Sequence, residues 1–528
     1  MAEHREWTRH HLLVFILTFL SYSCFHATRK AFSNVKDVMQ KEWTNNSVAF
    51  DPPKLWENRA FFKDEHHAEV FLGAMDTTFL MAYAVGLYIS GFLGDRFNLR
   101  KVLAFGMCSS AVMVFMFGTV SKWIGIYNIW YYGVFMALNV LEIHPEMFGT
   151  KYMVCYNPLV GHVFVAVMGN WFGKSSRGIV FGIWSANASV GNIIGALQVA
   201  AILDYGYEFA MLVPAVVLFA FGILIYFCLI PSPEEIGLPL PKDDQASQAS
   251  SNVFNEQIVE QEEFPNKVPS PVDGGFSQSS ASSSYHSVNQ QQRKAVSFCQ
   301  AVLLPGVIPY SLSYACLKLV NYSFFFWLPF YLSNKFHWKD TVSDKISTFY
   351  DVGGIVGGIV GGLISDLMGK RSPLVIVMLV LSIPMLFVYG NTGGGYTLNA
   401  ALMCLTGFMI GGPANLISSA ISADLGRQSA LSADSEALAT VTGIVDGTGS
   451  VGAAIGQFLV PEINTHSGWK PVFYFLMVMT FMSFVCLIIP LLFKLIRGRR
   501  ATYSYYQVTT DAPGYPPERH IVATIANS

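Results

Sequence analysis

VGLYISGFLGDRFNLRK (85–101) closes an apolar run with an acid and a cluster of bases, and VGGIVGGLISDLMGKR (356–371) repeats it with Asp366 in the place of Asp95. A second pair echoes further along each half: SVGNIIG (189–195) returns as SVGAAIG (450–456). Internal repetition on this scale marks a membrane protein built from two related bundles around a midplane site. The repeat is uneven, since 94 positions separate Asp95 from Ser189 but only 84 separate Asp366 from Ser450.

Composition agrees with a membrane solvent. Of 528 residues, 52% are hydrophobic and 13% are charged, too little charge to cover a soluble surface of this size. Apolar windows of about 20 residues, long enough to cross a hydrocarbon core of about 30 Å, recur from end to end. The pattern predicts an all-α membrane protein with twelve transmembrane helices in two pseudo-symmetric six-helix bundles. Residues 1–11 form an N-tail, 12–230 the first bundle, 231–297 a linker, 298–494 the second bundle and 495–528 a tail. The linker is rich in Ser, Gln, Pro, Asp and Glu and cannot bury a core.

The links GDRFNLRK, GKSSRG and DLMGKR and the tail FKLIRGRR carry Arg or Lys on one side of a twelve-span chain. The positive-inside rule makes that side cytoplasmic, with both termini there. The loop 35–68 then faces the other side, where the sequon Asn45-Asn46-Ser47 is open to glycosylation. The odd stretch is VLEIHPEMFGTKYMVCYNPLVGHV (140–163), where a fourth apolar span is due. Either it loops out at a membrane face, or it belongs to an unusual form with an impaired fourth helix.

Lys318 is the sharpest site candidate. It stands between VIPYSLSYACL and LVNYSFFFWLPFYL, and a charge near the bilayer centre costs about 2.5–3.5 kcal/mol even on the gentlest insertion scale. Two roles are open to it: binding an anion, or pairing with an acid such as Asp351 or Asp446. Arg29 and Lys30, late in the first span, either join an anion site or snorkel to the interface. Cations on the first helix of each bundle would face one another across the cavity, which suits a phosphate dianion. Asp76 is a further acid inside a span, with pairing or proton coupling as its two readings.

Cysteines occur singly and no metal-ligand spacing, phosphate-cradling loop or catalytic constellation is present, so neither a resident metal, a cofactor nor an enzyme is expected. The pattern gives no reason to expect nucleic-acid binding. The glycines of DVGGIVGGIVGG (351–362), four apart, predict close helix approach.

GDRxxxRK with its echo SDxxxKR resembles the conformational-switch loop of the major facilitator superfamily. That makes Asp95, Arg96, Arg100, Asp366, Lys370 and Arg371 its switch residues. FHATRKAFSNVK (25–36), GNWFGKSSRG (169–178), KLVNYSFFFWLPFYLSN (318–334), GGPANLISSAISADLG (411–426) and ATVTGIVDGTGSVGAAIG (439–456) resemble the sugar phosphate exchangers, organophosphate:phosphate antiporters of that superfamily. The resemblance spans nearly all of the chain except the linker, the tail and 140–163. It implies exchange of a phosphorylated sugar for inorganic phosphate across an endoplasmic reticulum membrane, with Arg29 and Lys318 at the family's cation positions. It departs in lacking the fifth-span His of bacterial members, where Ala188 stands, and the family's fourth-span Gly-Trp-Pro stretch. A cation pair reads the phosphoryl head, so the attached group stays open between a sugar and another organic phosphate or phosphonate. A lysosomal membrane is the alternative location. The disrupted fourth span motivates a rival reading, a transport-impaired chain that acts as a partner of another membrane protein.

Overall fold

The computed structural model describes residues 8–44, 61–93, 99–138, 161, 164, 167–172, 180, 183–184, 186–238, 298–369, 371–426 and 438–510. Its helices are α1 (Arg9–Thr44), α2 (Glu65–Leu93), α3 (Leu99–Ile124), α4 (Ile129–Leu138), α5 (Asn187–Ile202) and α6 (Tyr207–Cys228), then α7 (Val307–Phe336), α8 (Asp340–Met368), α9 (Ser372–Gly390), α10 (Tyr396–Ile421), α11 (Leu438–Ser467) and α12 (Trp469–Thr510). Among the described residues ten helices are long and apolar enough to cross a membrane. The other two are α4, described only to Leu138, and α11, which matches the rest in length but carries Asp446, Gln457 and Glu462. Apart from Gly161, the atypical segment 140–163 lies outside the described residues, as do the linker from 239 to 297, Asn45, Asp95, Arg96 and Lys370.

The helices run between a near face, where α1 begins beside Trp171, and a far face, where α1 ends and α2 begins. Two boundaries differ from the sequence reading. Helix α1 continues into the expected loop at 35–68 as far as Thr44, with its late charges paired: Lys36 with Asp76 of α2 inside the protein, and the exposed Lys41 with Asp37 one turn back. Past α6 the described chain from 229 to 238 stays against the first bundle. Asn170 Nδ2 donates to Pro231 O (3.1 Å) and Trp171 Nε1 to Ile230 O (2.8 Å), fastening the chain where it leaves α6.

In lipid, apolar burial between helices supplies little drive, so close backbone approach and interhelical hydrogen bonds must hold the bundles. The repeated glycines provide the approach. Gly191 and Gly195 of α5 lie against the Ser23 and Ala27 carbonyls of α1, and Gly452 and Gly456 of α11 meet Ala315 and Leu319 of α7. SVGNIIG and SVGAAIG therefore build the same joint in each half. The four-residue glycine series of α8 forms a third seam, where Gly353 and Gly357 lie on the Cys404 and Phe408 carbonyls of α10 and Gly407 lies on the Tyr350 carbonyl. Between the halves, α2 packs along α11 and α5 along α8.

Gly353→Ala would drive a methyl into the Cys404 carbonyl, an overpacking that costs about 1–3 kcal/mol. At Gly362 a Cβ meets open space. Thermal unfolding in detergent should show a clear loss of stability for Gly353→Ala and little change for Gly362→Ala; equal behaviour of the two would sink the seam.

Candidate functional site

Helix α7 carries Pro329 in its interior. Proline has no N–H, so the carbonyl four residues earlier, that of Phe325, loses its helical partner. Helix α1 supplies replacements. Lys30 Nζ donates to Phe325 O (2.6 Å), Ser33 Oγ donates to Phe325 O (2.8 Å) and Phe326 O (3.0 Å), and Lys36 Nζ reaches Phe326 O (3.3 Å). Lys30 is buried in this joint with its ammonium 4.6 Å from the Phe325 ring centre. It fastens α1 to α7 and shares the Phe325 ring with Arg29.

That cluster lies one turn closer to the near face. The Arg29 guanidinium carbon stands 4.9 Å from the ring centre of Tyr322, 5.1 Å from Phe79, 5.1 Å from Phe325, 5.5 Å from Phe326 and 5.7 Å from Tyr83. Five aromatic faces stabilise a cation through their quadrupoles but accept few of its hydrogen bonds. Nε and Nη2 of Arg29 are buried with no hydrogen-bond partner, and no carboxylate lies within ion-pair distance among the described residues. Because guanidinium keeps its charge under all ordinary conditions, this positive charge has to be met by something else.

Lys318 approaches the same rings from the second half. Its Nζ is 5.2 Å from the Tyr322 ring centre and 5.9 Å from Tyr83, so two tyrosines are shared by both cations. It donates to Asp446 Oδ1 (2.6 Å) and Ser450 Oγ (2.8 Å) on α11. Of the two acids named from sequence, Asp446 is its partner. Asp351 accepts instead from Asn192 Nδ2 (2.8 Å), a bond between α8 and α5 that crosses from one half to the other. By the register of the glycine joints, Lys318 occupies the place of His26 in α1, since each precedes the residue that meets the second glycine. The symmetry of the backbone is therefore not a symmetry of charge.

Other charges are structural. Lys36 and Asp76, 0% and 1% exposed, form a buried ion pair between α1 and α2, which is where the sequence-visible Asp76 finds its partner. Sequence reasoning missed Lys36 because it follows Arg29 and Lys30 and looked like the start of a polar loop. At the near face, Arg100 pairs with Glu235, after α6, and Arg371 Nε with Asp424 (2.8 Å), after α10. Arg100 and Arg371 are equivalent in the repeat. Arg371 Nη2 also lies 3.5 Å from Asp366.

The sequence profile of the Major Facilitator Superfamily matches residues 158–433. The chain is 50% identical to sugar phosphate exchanger 3 of Mus musculus over 94% of this chain and 96% of that one. It is 36% identical to a glucose-6-phosphate exchanger of Xenopus laevis over 93% and 95% of the two chains. The fold also matches the crystal structure of a D-xylose-proton symporter with a TM-score of 0.59, over 91% of this chain and 97% of that one at 11% identity.

Removing one member of a buried ion pair strands the other, at about 3–5 kcal/mol, whereas removing both together is often close to neutral. Lys36→Met or Asp76→Leu alone should cut the yield of folded protein and lower its melting temperature. The double substitution should recover most of the loss. A double variant no better than the worse single would show that the pair is not what holds these residues.

Proposed function

Because the chain belongs to the sugar phosphate exchanger family of the Major Facilitator Superfamily, we propose that it exchanges a phosphorylated sugar for inorganic phosphate by alternating access, with Arg29 and Lys318 as the phosphate-binding cations. It is a multi-pass membrane transporter and not an enzyme. The observation that carries the site is the buried Arg29 guanidinium, whose Nε and Nη2 lack acceptors beside rings shared with Lys318.

A phosphate between the two halves would take the open edge of Arg29 in a bidentate contact and draw Lys318 from Asp446 as a point charge. Asp446 and Ser450 hold that ammonium while no anion is there. Arg29 has the Tyr322 side chain beside it but no carboxylate among the described residues, so a carrier without an anion keeps one buried charge without a counter-charge. Returning with phosphate supplies the counter-charge, which favours exchange over one-way transport. Rocking of one bundle against the other would make and break the contacts between α2 and α11 and between α5 and α8, while the bases Arg96, Arg100, Lys370 and Arg371 exchange partners among the acids of the near face, Asp95 and Asp366 included. The reading places the chain in the endoplasmic reticulum membrane with both termini in the cytoplasm and Asn45 glycosylated on the opposite side.

The test is uptake of radiolabelled phosphate into proteoliposomes loaded with phosphate, with glucose 6-phosphate as competitor. Uptake should need phosphate inside. Losing a charge-assisted contact of about 1.5–3 kcal/mol should lower it roughly tenfold to a hundredfold in Lys318→Ala and in Arg29→Lys, which keeps the charge but loses the fork. Uptake driven by a pH gradient with no internal phosphate, or untouched by both substitutions, would overturn the assignment.

A further inference from the structure

His66, Glu462 and His466 each offer a ligand atom within 4.8 Å of the other two. His66 stands in the first turn of α2 and the other two near the end of α11, so the three groups come from opposite halves of the protein. Glu462 and His466 are four apart on a helix and project from one side of it. The rings of His66 and His466 meet edge to face with centres 5.1 Å apart.

The orientation of His466 suits a metal ligand. Its Nδ1 lies 2.9 Å from the Glu462 backbone carbonyl, so Nδ1 donates to that oxygen and Nε2 keeps its lone pair for a metal. Its Nδ1 is also 3.7 Å from Glu462 Oε1. His67, whose ring centre is 5.3 Å from that of His66, is engaged with Asp64 (2.7 Å). Beneath the cluster the two helices are fixed in register. Asn464 Nδ2 donates to Glu69 Oε1 (2.7 Å), and Gly73 lies directly on Pro461. The Glu462 and His466 side chains are 42% and 61% exposed, within reach of an ion from the aqueous side.

We propose that His66, Glu462 and His466 form a zinc-type metal site that staples the two halves together at the far face and holds that face closed. Two imidazoles and a carboxylate are the donor set of zinc rather than of calcium or magnesium, which prefer all-oxygen cages. Ligand distances of about 2.0–2.2 Å put tetrahedral ligand atoms about 3.4 Å apart, so the three groups would draw together from separations of up to 4.8 Å on binding. The fourth position would be left to water. The closing role rests on the alternating-access reading above; the binding of metal does not.

Full-length protein freed of any histidine tag is titrated in detergent with Co²⁺, followed by its visible absorption, and Zn²⁺ is then used in competition. One ion should bind per chain, and His66→Ala, His466→Ala and Glu462→Gln should each weaken binding by at least about tenfold, as loss of a ligand implies. Should the alanine variants fold poorly, His66→Gln and His466→Gln serve, with melting temperature read in parallel: Zn²⁺ should raise it in the unsubstituted chain and not in the double variant. Metal affinity unchanged by these substitutions would overturn the site. In the phosphate-uptake assay Zn²⁺ should inhibit the unsubstituted chain and spare the double variant, whose uptake without metal is normal. Inhibition that persists in the double variant would overturn the staple. If the unsubstituted chain exchanges no phosphate at all, the transport reading fails while the cobalt and melting results still decide the metal site.

Discussion

The missing N–H of Pro329 is the constraint around which the centre of this protein is arranged. A carbonyl at membrane depth that has lost its helical donor costs several kcal/mol unless another donor reaches it. Lys30 and Ser33 reach it from the other half of the molecule. The first helix of each bundle is thereby tied to its counterpart by side chains that bond backbone, a contact indifferent to the identity of Phe325 and Phe326 as side chains. One turn away, the same pair of helices presents Arg29 and Lys318 to a common pair of tyrosines. The tie fixes the distance between the two cations.

Charge inside the protein divides into settled and unsettled parts. Lys36 and Asp76 are settled: both are buried and mutually paired, although Asp76 lines the same cavity as Arg29. Lys318 is settled only provisionally, since Asp446 is partly exposed and belongs to α11, a helix that contacts the other half along its length. Arg29 is unsettled, with donors facing aromatic rings. Asp344 of α8 is its acidic opposite, with both carboxylate oxygens buried and unpartnered. A protein that only needed to be stable would have paired or removed such groups.

The two-bundle architecture was legible because repeats and apolar windows are local patterns that survive any packing. Lys318 was legible as a charge out of place, and Asp446 as one of two acids able to meet it. Three things were not legible. Lys36 followed two other cations and resembled the exit from a helix, whereas its pairing with Asp76 depends on how α1 lies against α2. Lys30 looked equivalent to Arg29 by position, yet the angular step of one helical residue brings its ammonium to the Phe325 carbonyl, while the Nε and Nη2 of Arg29 are left without acceptors. His66, Glu462 and His466 have no spacing to betray them, because the ligands stand at the start of α2 and the end of α11 and only the contact between halves unites them.

The glycine seams bring neighbouring helices within each half to backbone contact, and this has a mechanical consequence. Helices that interlock at that distance cannot slide past one another without lifting apart, so each half behaves as a stiff beam rather than a bundle of rods. A helix of 30 residues such as α7 or α11 is about 45 Å long, and the Arg29 and Lys318 cluster sits near the middle of it. A stiff beam pivoting near its centre converts a displacement of a fraction of an ångström around a small ion into several times that travel at either end. The glycines, which carry no charge themselves, therefore set the mechanical gain of the machine.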